Sequence, residues 1–468
     1  MRWEEKTMMI QGRVQELENF IFRRMGESEI IGLSFATIED GRVTYKRGIG
    51  FSNFEQGTSV TPRTTFCVGS VNKSVTALAV MQLVEKGLLS LDDPIDRYVF
   101  FKAKPMGEPI LLKHLLSHSS GLASLGYAEA TLGAVTETYD TWFPISSSRD
   151  LLIFMSGAEE WALARPGERH AYLNEGYILL GSIIESVSGQ EYTAYVRDNI
   201  LKPLKMDRST FLEEDVKRDP DVATPYVTNE EGVKVATRYP YGQMLADGGL
   251  MSNAMDMARF ASMLLNGGEL DGTQLARPET IRTMMEPKVR TIEEPLPGTG
   301  YHSYGYGLRI KEEFMGGRLV YHSGSVFGSS GYMGLVPEEG VGVVILANGG
   351  YFLEDMGEYT LALLLGRDPM EAPYLRRTTV LDNLAGTYRT FRATSDYKVE
   401  RSGGLLSLTM SFGRRTYTVP LVPVDLEGET KLFRLYSVES TTPVEFVKRD
   451  GDTYLVFDRN LAKKVSGD

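Results

Sequence analysis

Cysteine is almost absent from this 468-residue chain, which contains Cys67 and no other cysteine. A lone thiol rules out a disulfide within the chain and any metal site built from several thiolates. Long apolar runs are lacking too, since no stretch approaches the roughly 18–20 apolar residues that a membrane-spanning helix needs. The five histidines form neither an H-E-x-x-H nor an H-x-H-x-D pattern. We therefore expect no membrane partner, and the sequence does not predict a metallohydrolase.

Basic residues are outnumbered, with 50 Lys and Arg against 62 Asp and Glu, which gives a formal net charge of −12. That balance argues against a nucleic-acid partner. The first residues, MRWEEKTMMIQGRVQ, carry too many charges for a secretory signal and lack a small-residue cleavage site. We therefore expect a cytoplasmic protein. The charged and apolar fractions, 24% and 42%, are near globular averages and exclude wholesale disorder.

The hydrophobic pattern changes along the chain. Residues 10–25 have apolar residues at helical spacing, and the Asp-Gly pair at 40–41 lies between two β-type runs, as in a hairpin. From residue 70 to about 265 the pattern is mainly helical, and β-character returns at about 305–350. The opening helix and hairpin indicate the antiparallel sheet of an α/β or α+β unit.

A second region follows the stretch GRDPMEAPYLRR at 366–377, whose prolines and charges are typical of a linker. Beyond it, short alternating runs are separated by turns such as SGG, FGRR, LEGE and RDGD. Turns about every ten residues indicate an all-β barrel or sandwich of about 90 residues.

One short motif places a hydroxyl and an amine on the same side of a predicted helix. Ser70 and Lys73 form an S-x-x-K sequence just before the helical run 75–89. Residues three apart share a helix face, so the Lys73 amine can reach the Ser70 hydroxyl. A serine at a helix start also lies where backbone N–H groups and the helix dipole stabilise developing negative charge. These properties suit a nucleophilic serine.

Two further motifs follow in order. Tyr172 and Asn174 are two apart in a loop ahead of a predicted helix, so an extended backbone would aim both side chains the same way. His322 and Gly324 share one face of a predicted β-strand. Glycine there would let a substrate backbone lie along the strand, and the N–H of Ser325 could stabilise an oxyanion. Each motif alone is expected about once by chance in this length, but their order and placement together are far more specific.

With these motifs the chain resembles the serine β-lactamase and penicillin-binding-protein superfamily. It is most similar to family S12, with class C β-lactamases, D-Ala-D-Ala carboxypeptidases, D-aminopeptidases and CubicO-type peptidases. The matching stretches cover residues 60–350 in the family's order: FCVGSVNKSVTALAVMQLVEKGLLSLDDPIDRY, LLKHLLSHSSGL, RPGERHAYLNEGYILLG, DGGLMSNAMDMARF and HSGSVFGSSGYMGLVPEEGVGVVILANG. The C-terminal region is similar, on LAGTYRTF and its strand pattern, to the lipocalin-like domain of some CubicO-type proteins.

The resemblance implies a β-lactamase/transpeptidase-like α/β domain with an all-α insertion, followed by a small all-β, lipocalin-like barrel. The implied boundaries are 1–370 for the catalytic domain, with its α/β part at about 1–65 and 250–370 and its helical insertion at about 70–245, then a linker at 371–377 and the barrel at 378–468.

Transferred residue by residue, the resemblance makes Ser70 the nucleophile that forms an acyl-enzyme. Lys73 and Tyr172 would be the acid/base pair, and Asn174 would orient the substrate or Lys73. The N–H groups of Ser70 and Ser325 would form the oxyanion hole. Which member of the pair takes the serine proton stays open. No metal or organic cofactor is implied, because these side chains supply the nucleophile and the proton transfer themselves.

The function that these features favour is a serine peptidase or amidohydrolase acting on short peptides, with D-amino acids expected from the family. His322 occupies the place that lysine usually holds in the K-T-G strand motif, which disfavours a β-lactamase. The alternatives are a serine esterase or β-lactamase of the same fold, or a catalytically idle penicillin-binding or scaffold module.

The CubicO-type resemblance also implies a closed homo-oligomer, such as an octameric cage. Segments 123–150 and 285–302 are expected to shape the substrate pocket.

Three other side chains are interpreted as structural. His118 falls near the end of a helix predicted over 111–122, where a cation interacts well with the helix dipole. His170 precedes the Tyr-x-Asn motif and is expected to be structural or solvated. Cys67 has no basic neighbour and is expected to be a small buried hydrophobe.

Overall fold

The structure, a computed structural model, describes residues 3–135, 147–239, 241, 245–293, 300–350, 352–412 and 415–465. The chain divides into two compact units, Met1–Pro369 and Met370–Asp468. Among the helices in the described ranges, none combines the length and apolar character needed to cross a bilayer.

The helices of the first unit are α1 (Trp3–Glu27), α2 (Asn72–Glu85), α3 (Leu112–Leu116), α4 (Tyr127–Val135), α5 (Ser148–Phe154), α6 (Asn174–Ser188), α7 (Tyr192–Val196), α8 (Glu213–Arg218), α9 (Ala254–Leu265), α10 (Pro278–Met284) and α11 (Glu354–Leu364). Its strands are β1 (Gly32–Glu39), β2 (Arg42–Asn53), β3 (Thr58–Ser59), β4 (Phe66–Cys67), β5 (Tyr226–Thr228), β6 (Lys234–Ala236), β7 (Met251–Ser252), β8 (Glu269–Leu270), β9 (Thr273–Gln274), β10 (Val289–Arg290), β11 (His302–Tyr304), β12 (Arg309–Phe314), β13 (Gly317–Val326), β14 (Ser329–Val336) and β15 (Val341–Asn348). The second unit contains α12 (Pro373–Leu384), β16 (Gly386–Thr390), β17 (Asp396–Ser402), β18 (Leu405–Phe412), β19 (Arg415–Asp425), β20 (Lys431–Tyr436), β21 (Thr441–Arg449), β22 (Asp452–Phe457) and β23 (Asn460–Val465).

Strands from both ends of the first unit meet in one antiparallel sheet. In the described residues its nine strands lie in the order β10-β11-β12-β13-β14-β15-β1-β2-β3. The sequence of β15, VGVVILAN, is buried along its whole length, as is typical of a strand covered on both faces. On one face Val344 and Leu346 join the core that includes α9. On the other, Tyr332 of β14 lies against Gly357 of α11.

The helical region lies in sequence between the two groups of sheet-forming strands, and α2 is at its centre. Twelve of the fourteen residues of α2 are buried, and its apolar side chains occur on all sides, as expected of a helix inside a core. Helix α6 packs beside it and ends at Ser188; the next residue, Gly189, has a φ of +70°, which suits glycine just after a helix C-terminus. The predicted α/β fold with a helical insertion is thus confirmed, although the insertion is not all-α, because it also contains the short hairpin of β5 and β6.

Several helix boundaries differ from the sequence prediction: the helix expected at 10–25 covers 3–27, and the helical run expected at 75–89 covers 72–85. The helix predicted over 111–122 ends at Leu116, after which the Ser117 hydroxyl donates to the Lys113 carbonyl and His118 turns into a left-handed conformation. Local hydrogen bonding of this kind competes with further helix. The helix predicted from residue 177 begins instead at Asn174.

The second unit is a closed antiparallel barrel of eight strands, in which each strand pairs with the next and β16 pairs with β23. Closure removes the exposed edges that an open sheet would present. The predicted barrel is thereby confirmed, and its interior is filled by large side chains, among them Tyr388, Phe433 and Phe446. The expected linker at 371–377 differs from the structure, because α12 spans Pro373–Leu384 and the first strand begins only at Gly386. A proline at a helix start removes an N–H that would have no partner within the helix.

Candidate active site

The S-x-x-K motif lies at the entrance to α2. Ser70 is half-buried in a 3-10 turn, Gly69–Val71, that runs directly into this helix. Lys73 is fully buried one turn further along, and its Nζ lies 3.0 Å from the Ser70 Oγ. Burial of a lysine without a carboxylate partner is costly, so its hydrogen bonds decide what it can do.

Within the described part of the chain, Lys73 has three hydrogen-bond partners. Besides Ser70, its Nζ lies 2.8 Å from the Asn174 Oδ1 and 2.8 Å from the backbone carbonyl oxygen of Asp247. The two carbonyl oxygens can only accept, so each takes one N–H of Lys73. The third position of the nitrogen then faces Ser70. An ammonium group would donate to the serine oxygen there, whereas a neutral amine would direct its lone pair at the serine proton.

The Tyr-x-Asn motif meets Lys73 from the start of α6. Leu173 has an extended backbone, and Asn174 is the first residue of the helix. The Lys73 Nζ lies 5.0 Å from the centroid of the Tyr172 ring. Among the described residues, no hydrogen bond joins the Tyr172 hydroxyl to Ser70 or Lys73. The two motif side chains therefore converge on the same amine, Asn174 by a hydrogen bond and Tyr172 through its ring.

The strand motif lies directly beside Ser70. A β-carbon built on Gly324 would be 2.7 Å from the Ser70 amide nitrogen, and one built on Gly69 would be 2.8 Å from the amide nitrogen of Ser325. Only glycine permits so close an approach, and Gly69 also has a φ of +55°. The backbones that carry the two expected oxyanion N–H groups, those of Ser70 and Ser325, are therefore packed against each other.

His322 is buried next to these groups and has both ring nitrogens engaged. Its Nε2 is 2.8 Å from the Tyr304 hydroxyl and its Nδ1 is 2.6 Å from the Ser323 carbonyl oxygen. Burial, aided by the positive charges of Arg309 and Lys73, holds the pKa of His322 well below its ordinary value. The ring is thus neutral: Nδ1 donates to the carbonyl, and the Tyr304 hydroxyl donates to Nε2. His322 supplies no charge at the position where the family usually has a lysine.

Four residues of this region were not assigned to the site from sequence: His118, Asp247, Tyr304 and Arg309. Arg309 of β12 has its guanidinium carbon 5.6 Å from the centroid of the Tyr172 ring, and among the described residues a carboxylate oxygen of Glu293 lies 3.9 Å from the Arg309 guanidinium. Its side chain is 27% exposed. These residues come from segments far apart in the chain, so no local motif links them. Of the segments expected to shape the pocket, residues 136–146 and 294–299 lie outside the described residues.

Cys67 is buried and its thiol contacts the Gly248 carbonyl oxygen at 3.4 Å. Burial raises the pKa of Cys67 to about 12, so it is a thiol and not a thiolate. Within the described ranges, no group of three or more His, Cys, Asp or Glu side chains is arranged to hold a metal ion.

Asp247→Asn is expected to stabilise the protein at alkaline pH. The Asp247 carboxylate is fully buried and neither oxygen has a hydrogen-bond partner. Burial raises the pKa of Asp247 to about 7, against the attraction of Lys73. An aspartate in the unfolded chain ionises near pH 4, whereas Asp247 in the folded chain ionises near pH 7. Raising the pH from about 4 to 7 therefore lowers the free energy of unfolding, by on the order of 4 kcal/mol in all. The thermal midpoint of the variant should exceed that of wild type at pH 8 and match it at pH 4. Equal midpoints at pH 8 would contradict this burial cost.

Comparisons with known proteins concern the sequence family and the fold of the chain. A sequence profile of the β-lactamase family matches residues 17–367, and a profile described as the Pab87 octamerisation domain matches residues 369–462. The solved structure of the octameric penicillin-binding protein homologue from Pyrococcus abyssi is similar, with a TM-score of 0.90 and 41% sequence identity. That comparison covers 96% of this chain and 100% of the other.

More distant relatives share part of the chain. Protein flp of Staphylococcus aureus strain MW2 is 27% identical over 344 residues, which are 71% of this chain; the chain spans 63% of the length of that relative. The D-stereospecific amidohydrolase from Streptomyces sp. has a similar fold, with a TM-score of 0.55 at 22% identity over 69% of this chain and 91% of the other. Since the family profile matches most of the sequence, the chain belongs to the β-lactamase family, with a β-lactamase and penicillin-binding-protein fold followed by a closed eight-stranded barrel.

Proposed function

We propose that this protein is a serine peptidase or amidohydrolase of the S12 type that forms an acyl-enzyme on Ser70 and acts on short peptides containing D-amino acids. The observation that carries the proposal is the contact between the buried Lys73 amine and the Ser70 hydroxyl, 3.0 Å apart. The other two hydrogen bonds of Lys73 go to fixed carbonyl oxygens, which leaves the amine one direction in which to exchange a proton.

The proposed acylation starts from the neutral form of Lys73: the Ser70 Oγ attacks the substrate carbonyl carbon while its proton moves to the lone pair of the Lys73 Nζ. The carbonyl oxygen becomes an oxyanion, which the N–H groups of Ser70 and Ser325 stabilise. Collapse of this intermediate breaks the bond to the leaving amine, which takes up the proton, and leaves an ester on Ser70. A water molecule then attacks the ester by the reverse proton movements and releases the acid.

The contacts favour Lys73 over Tyr172 as the group that takes the serine proton. Lys73 already touches Ser70, whereas the Tyr172 hydroxyl has no hydrogen bond to either residue in the described structure. The Tyr172 ring adjoins both Lys73 and Arg309, and this position suits a phenol that passes the proton on to the leaving amine. Asn174 would orient the amine by accepting a hydrogen bond from one of its N–H groups.

The charges beside the site suit a substrate that carries a free carboxylate, such as a short peptide. The strand position that usually carries a lysine holds the neutral His322, and the nearby cation is the partly exposed Arg309. A guanidinium in this position could pair with the free carboxylate of a short peptide. The expectation of D-residues rests on the fold shared with the D-stereospecific amidohydrolase and the penicillin-binding protein homologue.

The function can be tested by comparing kcat/KM for a D-amino-acid dipeptide, its L-isomer, a p-nitrophenyl ester and nitrocefin, each with a Ser70→Ala blank. We expect the D-peptide to be hydrolysed with the highest kcat/KM. If the ester or nitrocefin is preferred by orders of magnitude and both peptides are inert, the protein is the esterase or β-lactamase of the same fold. If no substrate turns over and no reagent labels the serine, it is the idle module.

The barrel is proposed to assemble the chain into a homo-octamer. It matches the octamerisation-domain profile, and the relative from Pyrococcus abyssi is octameric. Large apolar side chains are exposed on it, including Phe391, Tyr436 and Val438, which is typical of a surface that is covered in an assembly.

Light scattering after size exclusion should therefore give eight times the 52.1 kDa chain, about 417 kDa. A Val438→Glu, Tyr436→Glu double variant should give a smaller species, because two charges would have to be desolvated in each contact. A wild-type species of 52 kDa would contradict the assembly.

A further inference from the structure

His118 lies among the aromatic rings that surround Lys73, and the proposed mechanism gives it no role. Its side chain is 1% exposed, and its φ of +53° is in the left-handed region. A non-glycine residue in that region costs free energy and persists where the surrounding contacts hold it. The backbone turn directs both the carbonyl group and the ring of His118 toward the segment that carries Tyr172.

Two hydrogen bonds join His118 to the residues on either side of Tyr172. The Ala171 N–H donates to the His118 carbonyl oxygen at 2.8 Å, and the Leu173 N–H donates to the His118 Nδ1 at 3.0 Å. Between these two bonds the imidazole lies 4.0 Å from the Tyr172 ring, centroid to centroid, at an angle of 31°. One residue therefore contacts both the backbone and the ring of the Tyr172 segment.

The bond to Leu173 also fixes the chemical form of the imidazole. Since Nδ1 accepts a hydrogen bond there, it carries no proton of its own, and the ring proton is on Nε2, for which the described residues offer no hydrogen-bond acceptor. Burial and the charge of Lys73 lower the pKa of His118 well below its ordinary value, so the ring stays neutral and able to accept. A cationic ring would have no acceptor to offer Leu173.

We propose that His118 is a positioning residue. Its ring holds the Tyr172 ring in place beside Lys73. Its hydrogen bond from the Leu173 N–H holds the next residue, Asn174, the first of α6, where its side chain meets Lys73. This inference rests on the proposed function for its catalytic consequence, but the hydrogen bonds themselves are independent of it. The residue contacts neither the substrate nor Ser70 in this role. Its effect is on the orientation of the two side chains that meet the amine.

His118→Leu keeps the bulk of the ring and removes the acceptor. We expect it to lower the first-order acylation rate 10- to 100-fold with KM changed less than threefold, since small displacements of a proton-transfer group cost rate and not binding. His118→Gln, whose amide oxygen can accept from Leu173, should recover part of that loss. Rates are expressed per active site, titrated with a fluorophosphonate, so that a lower folded fraction does not count as a lower rate.

His114→Leu is the matched control. His114 is on α3, the helix that ends two residues before His118, and its Nδ1 also accepts a backbone N–H, that of Leu111, at 3.1 Å. Its removal should leave the acylation rate within about twofold of wild type. If His114→Leu and His118→Leu slow acylation equally, or if the rate per titrated site is unchanged in both, the positioning role is overturned.

Hydrogen exchange at the Leu173 amide separates this inference from the proposed function. Exchange there should accelerate at least tenfold in His118→Leu and stay unchanged in His114→Leu, whether or not the enzyme turns over any substrate. Unchanged protection in His118→Leu would overturn the hydrogen bond itself. If wild type is not labelled by a fluorophosphonate but the exchange pattern holds, the proposed function fails while the positioning of the segment stands.

Discussion

Ser70→Ala is expected to abolish covalent labelling by a fluorophosphonate or a β-lactam and to reduce peptide hydrolysis to the blank rate. Both reagents must bond to a nucleophilic oxygen, and Ser70 is the hydroxyl that lies against the Lys73 amine. Removing the Oγ leaves the backbone of the 3-10 turn unchanged, so the protein should fold normally. Intact-protein mass spectrometry would show the added mass of the acyl or phosphonyl group in wild type and its absence in the variant.

Ser74→Ala provides the control for that experiment. Ser74 is a buried serine on α2, the helix that follows the Ser70 turn; its hydroxyl donates to the Val71 carbonyl and, in the described structure, makes no hydrogen bond to the Lys73 amine. The variant should label at a rate near that of wild type. Labelling of Ser70→Ala at the wild-type rate would end the assignment of the nucleophile.

Lys73→Ala is expected to slow acylation by about 10² or more, and Tyr172→Phe by a similar factor. In the described structure, the Lys73 amine is the only group that makes a hydrogen bond to the Ser70 hydroxyl, and Lys73→Ala removes it. Tyr172→Phe retains the ring beside Lys73 and removes only the hydroxyl. The second-order rate of labelling by a fluorophosphonate, measured over a range of reagent concentrations, checks both values.

The Lys73 variant needs a folding control, because it leaves the Asn174 and Asp247 oxygens without their donor. A buried acceptor without a partner costs about 1–3 kcal/mol. Thermal unfolding of both variants shows whether the loss of rate is a loss of structure. Tyr172→Phe removes no recorded hydrogen bond, so it should unfold near the wild-type midpoint. A Lys73→Ala protein that is folded and acylates at the wild-type rate would rule out Lys73 as the base.

The local parts of the site could be predicted because they depend on spacing alone. Ser70 and Lys73 meet because they are three apart at a helix start, and Gly324 and Ser325 follow from alternation along β13. Periodicity and turn spacing predict an α/β or α+β unit followed by an all-β barrel or sandwich, and the family resemblance decides between these alternatives. All of these patterns can be recognised from residues that lie close together in the sequence.

The remaining parts depend on contacts between distant segments. The Asp247 carbonyl that accepts from Lys73 is 174 residues away in sequence, and only backbone is involved, so no residue type marks it. Tyr304 binds His322 from two strands away in the sheet. At His118 the sequence predicts continuing helix, because the residues before it favour helix. The left-handed turn found there is held by tertiary hydrogen bonds to Ala171 and Leu173, which no local pattern indicates.

The mechanism as a whole depends on a single alcohol made reactive by the amine one helical turn away. Peptide mapping of the wild-type protein after brief exposure to a fluorophosphonate tests this most directly, because tandem mass spectrometry identifies the modified side chain. One phosphonyl group per chain, on Ser70 and no other residue, is the predicted result. A modified residue elsewhere, with Ser70 unreacted, would contradict the proposed chemistry of the site.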